Sequence, residues 1–504
     1  MKIIQILFDS LNRHYLSAYG NEEVRTPNLD SFTEESVIFD NHWLGSAPCM
    51  PARRDMMTGR LEFLERSWGP IEPFDKTLPE LLQENDIFTH IVTDHYHYLE
   101  KGGENYLTSF DTWELFRGQE EDPWVSRVDK PQVPEYLGKY SENYYLNQKR
   151  FKSEKDFPTP KTFRSACRWL DENKGADDFL LWVEVFDPHQ PFDAPKKYLD
   201  MYPDDWAGPK YFRPRGGKVH TSSEAIKHLR NQYAATLTMV DHWFGKFLNK
   251  IKNQGLMKDS LIILTSDHGI LLGEHGFTGK NVMPVYSELA HLPAMVHLPE
   301  SKRKNEKVSA LTQNIDIYPT VLDYFGIEDI PDYIHGSSWK PLLEGEVESI
   351  RDEAIYGYFG KSVNLTDGDH IFMKTAKSKD NAPLNIYSSM PVGLRQYWPK
   401  DKFSKIECGR FLAHTNMPIY KLPINEEDQR GGDANMFLVD DERGAYNESD
   451  MIINLEDKKA TQELDDQFKE KRANFIRVLK KQMQKHQAPT EQFKRLGIDG
   501  SDKD

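Results

Sequence analysis

Leu261-Ile262-Ile263-Leu264-Thr265-Ser266-Asp267-His268-Gly269 is an unbroken apolar run that stops at a serine, a carboxylate and an imidazole. A short run without polar alternation reads as a strand buried on both faces, as in a parallel sheet covered by helices. Working outward, the same design recurs. Residues 3–8 end in Asp9, residues 88–93 in Asp94-His95-Tyr96-His97, and residues 179–186 in Asp187-Pro188-His189. Helical spacing fills the intervals, over residues 29–35, 51–58, 78–84, 161–173, 223–251 and 318–325. The longest of these keeps Leu229, Tyr233, Leu237, Val240, Phe244, Phe247 and Leu248 on one face. Strands alternating with helices predict an α/β chain with a large, mostly parallel central sheet flanked by helices.

The chain has 504 residues, 38% of them hydrophobic and 29% charged, which suits a soluble globular protein with a substantial core. Near residue 365 the texture changes. Residues 363–374 read as a hairpin turning at Asp367-Gly368, an irregular stretch with Pro383, Pro391, Pro399 and Pro418 follows, and a charged helix is expected over residues 458–485. These features predict a catalytic domain over residues 1–365 and a smaller C-terminal α+β domain over 366–504. The net charge of −16 excludes a general nucleic-acid binder, which needs a basic face. It does not exclude an anionic small substrate, because a metal ion and a few cations reverse the field locally. Cys49, Cys167 and Cys408 form no paired spacing, so neither a disulfide framework nor a zinc cluster is indicated. The apolar run at the start is too short for a signal peptide and no run of about 18 apolar residues occurs, so a cytoplasmic location without a membrane span is expected.

In open parallel sheets, ligands bind at the carboxyl ends of the strands, which is where the acidic and imidazole residues collect. Such groups are costly beside a buried sheet unless partners or a metal satisfy them. Asp9, Asp267 and His268 offer two hard oxygen donors and one nitrogen, a set suited to Ca²⁺, Mg²⁺ or Mn²⁺ rather than structural zinc. Pro51 near the first helical position would set Cys49 at a helix N-terminus, where free N–H groups favour an anion. Arg53, four residues on, faces the same side. Unmodified, such a setting would lower a thiol pKa and give a reactive cysteine.

Cys49-Met50-Pro51-Ala52-Arg53, followed by Thr58-Gly59-Arg60, resembles the signature of type I sulfatases in the alkaline phosphatase superfamily. The resemblance implies an alkaline phosphatase-like fold and a Cys49 oxidised to formylglycine (3-oxoalanine) by a formylglycine-generating enzyme. It implies one divalent ion, calcium by family precedent, held by Asp9, Asp267, His268 and the oxidised side chain at position 49. Arg53 would hold the hydrated aldehyde, while Lys280 and His95 would meet the sulfate oxygens. His189, in an Asp-Pro-His-x-Pro pattern, would protonate the departing alcohol, and His97 would take the proton of the formylglycine hydroxyl. The substrate implied is a sulfated carbohydrate, as a small molecule or oligosaccharide, or an aryl sulfate.

Two positions depart from most members. Asp9-Ser10 stands where the family usually has Asp-Asp, and His95-Tyr96-His97 where it usually has Lys-x-His. One carboxylate and one ammonium are exchanged together, a coupled change that should weaken Ca²⁺ binding and favour Mn²⁺ or Mg²⁺. Phosphonate monoester hydrolases, relatives with the same nucleophile, also lack the second Asp, so phosphonate monoesters and phosphodiesters are the alternative substrates. A non-catalytic binder of anionic glycans, with Trp68, Trp113, Trp124 and Trp398 as stacking surfaces, is a third reading. The terminal helix and residues 488–493 offer a surface for an oligomer contact.

Overall fold

The computed structural model describes residues 1–129, 131–424, 449–456, 460–461 and 466–499. The apolar runs form the strands β1 (Lys2–Phe8), β2 (Val37–Trp43), β3 (Phe88–Thr93), β4 (Thr112–Leu115), β5 (Phe179–Val185), β6 (Ser260–Ser266), β7 (His291–His297) and β8 (Glu306–Val308). They lie in the order β8-β2-β7-β6-β1-β5-β3-β4, with Thr312–Gln313 also pairing β2. Only β7 runs antiparallel to its neighbours β6 and β2. The three central strands are buried at every position, which is why their sequences lack alternation. Their register sets Phe8 beside both Val185 and Ser266, so Asp9, Asp187 and Asp267 leave the sheet at one edge.

Helices cover both faces. On one, α1 (Pro27–Glu34), α4 (Pro158–Glu172) and α5 (Ser223–Asn253) bury Phe32, Phe163, Phe244 and Phe247 against Ile4, Ile6 and Phe8. On the other, α2 (Cys49–Thr58), α3 (Leu78–Gln83) and α6 (Ile317–Phe325) bury Met56, Leu78 and Val321 against Ile3, Leu7 and Ile263. The expected mostly parallel α/β sheet is thus present, with element ends shifted by a few residues. Among the helices packed on this sheet, the largest shift at a start is in α4, which begins at Pro158 because proline suits a first turn whose N–H groups have no partner. The start of α2 is also earlier than expected: Pro48 is the N-cap and Cys49 the first helical residue.

A second sheet joins β9 (Ala354–Tyr358), β10 (Val363–Thr366), β11 (His370–Lys374) and β12 (Met451–Asn454) with the two-residue strands Ser46–Ala47 and Ala460–Thr461. The expected hairpin is β10–β11. Gly368 takes φ 95° there, and the Asp367 carboxylate accepts from the N–H groups of Asp369 and His370 at 3.0 and 2.7 Å. The domain edge expected after residue 365 falls inside this sheet, because β9 pairs with β10 and, in parallel, with Ser46–Ala47. The charged terminal helix, expected from residue 458, is α7 (Asp466–Lys485); residues 457–459 and 462–465 lie outside the described residues. Its Phe475, Leu479 and Met483 pack on Phe63, Leu365 and Phe372. Among the described residues no helix is long and apolar enough to cross a membrane.

Candidate active site

Cys49 is placed by the turn between the two sheets. Asp55, two turns into α2, accepts hydrogen bonds from the Ser46 N–H (2.6 Å), the Ser46 hydroxyl (2.8 Å) and the Glu62 N–H (2.9 Å), tying the helix to the strand that feeds it. Gly45 permits this approach, since a Cβ there would stand 2.3 Å from the Asp55 carboxylate. Cys49 itself is buried, with 1% of its surface exposed. Its Sγ lies 3.0 Å from Lys280 Nζ and 3.2 Å from His268 Nε2.

Asp9, Cys49, Asp267 and His268 offer one ligand atom each, all within 4.8 Å of one another. His268 donates from Nδ1 to the Gly269 carbonyl at 2.7 Å, because a carbonyl can only accept, so its Nε2 presents a lone pair to the cluster. Asp267 is pushed up to about 7 by burial and by Asp9, against the pull of Arg53 and Lys280. Asp9 is also penalised by burial, but Lys280, His189 and Arg53 hold it well below the usual carboxylate range. Two buried carboxylates, a bare imidazole nitrogen and a sulfur crowded together demand a cation, and the donor set fits one divalent ion. The Lys280 ammonium already lies among them, 3.3 Å from Asp9, 3.0 Å from the Ser10 hydroxyl and 2.9 Å from His268 Nε2.

Arg53 faces the cluster, as its spacing from Cys49 predicts. Its guanidinium is engaged by three carboxylates: Glu184 at 2.7 Å, Asp267 at 2.6 Å and Asp9 at 3.0 Å. In this arrangement its observed partners are the acids around position 49. The unmodified thiol differs from expectation as well. Burial, Asp9 and Asp267 push its pKa well above the ordinary value, outweighing Lys280 and Arg53, so Cys49 as a thiol is a poor nucleophile.

The three histidines line one side. His95 Nε2 is 3.5 Å from Asp9, yet neither ring nitrogen makes a hydrogen bond, although the side chain is fully buried. A buried polar group of this kind awaits a partner. His97 donates from Nδ1 to Glu100 at 2.9 Å, with Nε2 3.7 Å from Glu120 and its ring edge-on to Trp68. His189 donates from Nδ1 to the Gln190 carbonyl and packs on Phe186. Burial and Lys280 push it down to about 3, so it is neutral in the unliganded fold.

Two residues that the sequence reading passed over, Glu184 and Asn314, belong to the site, as does Ser10, which it noted only as a departure from the motif. Glu184 anchors Arg53 and accepts from Tyr98 Oη at 2.8 Å; its signal was a lone carboxylate inside the apolar strand β5. Ser10, at φ 61°, donates its hydroxyl to Asp9 (2.7 Å) and its N–H to Asp267 (3.0 Å). Asn314 donates to the carbonyls of Ser266 and Asp267 at 3.2 and 3.3 Å, a contact that no local pattern announces. Both departures from the expected motifs, Ser10 and His95, thus flank the same carboxylate, Asp9.

Residues 2–327 match the family model described as Sulfatase. The chain is 25% identical over 391 residues to the arylsulfatase of Clostridium perfringens, covering 69% of this chain and 80% of that one. It is 25% identical over 421 residues to the N-acetylglucosamine-6-O-sulfatase of Bacteroides thetaiotaomicron, covering 71% and 74%. Among solved structures it resembles the phosphonate monoester hydrolase of Agrobacterium radiobacter, with a TM-score of 0.61 at 20% identity over 74% of this chain and 87% of that one; at that identity the likeness concerns the fold.

Proposed function

Because the chain belongs to the sulfatase family, we propose that it hydrolyses sulfate esters with a formylglycine derived from Cys49. The observation that carries this reading is the convergence of Asp9, Cys49, Asp267 and His268 within 4.8 Å on a buried sheet edge. Asp9, Asp267, His268 and the modified residue 49 would hold one divalent ion. When present, the ion supplies charge neutralisation and the hydrated aldehyde supplies the attacking oxygen.

The remaining steps belong to the chain's own side chains. Arg53, itself fixed by Glu184, holds the carboxylates of Asp9 and Asp267, two of the residues that would bind the ion. Lys280, 3.0 Å from Cys49 Sγ, neutralises the ester oxygens, and the unsatisfied His95, kept neutral by burial and Arg53, donates a hydrogen bond to them. His189 must carry a proton on Nε2 to release the alcohol, and the negative charge of a bound ester favours that form. His97, its ring held by Glu100, accepts a proton from the hydroxyl at residue 49 when sulfate departs.

Mass spectrometry of the Cys49 peptide from the native host should show an aldehyde in place of the thiol. Turnover of an aryl sulfate by protein whose Cys49 remains entirely thiol would overturn the nucleophile assignment. Ser10 supports a second reading. A hydroxyl beside Asp9 leaves the cluster with one carboxylate fewer than the usual pattern, as in the phosphonate monoester hydrolases. Parallel rates on aryl sulfate, phosphodiester and phosphonate ester decide between them, and metal analysis decides between calcium and the Mn²⁺ or Mg²⁺ that a smaller carboxylate set favours.

A further inference from the structure

The turn at residues 117–122, for which the sequence offers no motif, reaches the wall of histidines. Arg117 grips Asp122 with contacts of 2.8 and 2.9 Å, and the Gly118 N–H donates to the same carboxylate at 2.8 Å. Within this turn Glu120 takes φ 42°, a conformation uncommon for a residue with a Cβ. Strain of this kind persists where the surrounding structure holds the side chain to a task. Gln119 beside it donates to Asp94 at 2.9 Å, so the turn is docked on the acids behind the histidines.

Glu120 is buried, and its two oxygens have different neighbours. Oε1 accepts from Arg213, whose Nη1 donates to Glu121 at 3.1 Å. Oε2 lies 3.7 Å from His97 Nε2. Burial would raise this carboxyl, but Arg213, then His189, His97 and Arg395, hold it well below the usual carboxylate range, so it is ionised. His97 therefore stands between two carboxylates, Glu100 on Nδ1 at 2.9 Å and Glu120 facing Nε2. The rings of Trp68, Tyr96, His95 and Phe186 pack around it, with centroids 4.2 to 6.4 Å away.

Because Nδ1 donates to Glu100, Nε2 is the nitrogen left to take a proton. At 3.7 Å the Glu120 carboxylate is too far for a hydrogen bond, yet near enough to close on a ring that has gained one. An imidazolium formed at so buried a place needs an anion close by. When sulfate departs, the proton of the residue-49 hydroxyl passes to Nε2 and the O–H electron pair becomes the new C=O bond. Sulfate leaves with the pair of the C–O bond that breaks. The positive charge then appears on the side of the ring that faces Glu120.

We propose that Glu120 is a positioning residue for sulfate release: held by Arg213, its carboxylate receives the Nε2–H of His97 once that ring has taken the proton from residue 49. The assignment rests on the sulfatase reading above and adds a residue to it.

The test measures kcat and KM on p-nitrophenyl sulfate and phenyl sulfate for the mature wild type, Glu120→Gln and Glu120→Asp, each normalised to its aldehyde content. Sulfate release follows loss of the alcohol, so it limits kcat without entering kcat/KM. Glu120→Gln should lower kcat about tenfold, with the same kcat for both esters. KM should fall in step, keeping kcat/KM within about twofold of the wild type. With a radiosulfur-labelled ester, acid-quenched Glu120→Gln should retain more label on the protein than the wild type. Glu120→Asp keeps the charge and suits a positive φ, so it should recover part of kcat. Equal losses of kcat/KM on both esters without added label, or an unchanged kcat, would overturn the assignment while leaving the sulfatase reading intact. A loss of kcat/KM confined to the poorer leaving group would place Glu120 with His189 and overturn it as well. Inertness of the mature wild type toward both esters would overturn the sulfatase reading and this one with it.

Discussion

Glu184 shows how a single side chain organises the rest. It sits in the central strand β5, fully buried, and its Oε1 and Oε2 serve Arg53 and Tyr98 respectively. Glu184→Gln keeps the shape and removes the charge, leaving Arg53 with two carboxylates instead of three. A loss of stability on the order of 2–4 kcal/mol is expected, together with a more than tenfold loss of sulfatase turnover; thermal melts and kcat read the two. Asp94 and Asp187 form a second acid pair behind the histidines, sharing Thr159, which lies 2.6 Å from Asp187 and 3.5 Å from Asp94. Burial and then Asp187 push Asp94 up to about 8, and burial pushes Asp187 up to about 7. Each keeps a proton in the fold that the unfolded chain releases near pH 4. Their contribution to stability is therefore full below about pH 4 and is lost as pH rises through 7 to 8. Asp94→Asn cannot ionise, so its Tm should fall less than that of the wild type between about pH 5 and 8. Parallel slopes in the two melting series would count against a proton held on Asp94 in the fold. At this scale the sequence displayed the strand-end residues, because a polar group that ends an apolar run is visible. Glu184 was hidden, because its partner Arg53 lies far away in the chain.

Among elements, the turn after Lys280 is gripped from the second sheet. Asn281, at φ 91°, donates its N–H to Tyr358 Oη at 3.1 Å, and its carbonyl accepts from the buried Lys361 ammonium. These contacts fix the backbone next to the residue assigned to the ester oxygens. Tyr358→Phe removes one hydrogen bond of about 1 kcal/mol, so KM should rise about fivefold with a smaller change in kcat. Lys361→Met should act in the same direction and Lys361→Arg should recover part of the loss. A fall in kcat alone would assign these residues elsewhere. The strands of the main sheet were legible because burial on both faces leaves uninterrupted Ile, Leu and Val. The edge of the second sheet was not. Ser46 pairs with Gly357, and a two-residue strand completed by so distant a partner carries no local periodicity.

At the scale of the whole molecule, metal and terminus are the two tests. Chelator-treated protein should melt earlier. Restoring Mn²⁺ or Ca²⁺ to about 100 times its Kd should return about 2.7 kcal/mol, and a Tm indifferent to either ion would argue against the cluster as a metal site. Removing residues 466–504 strips Phe475, Leu479 and Met483 from Phe63, Leu365 and Phe372, so the shortened chain should be recovered as aggregate.

The pairing of Ser46–Ala47 with β9 also sets an order of events in time. During synthesis the N-terminal segments emerge first, while the stretch before Cys49 waits for a strand made much later. In the finished fold the side chain at position 49 is sealed at 1% exposure, so any enzyme that modifies it has to reach it before that strand docks.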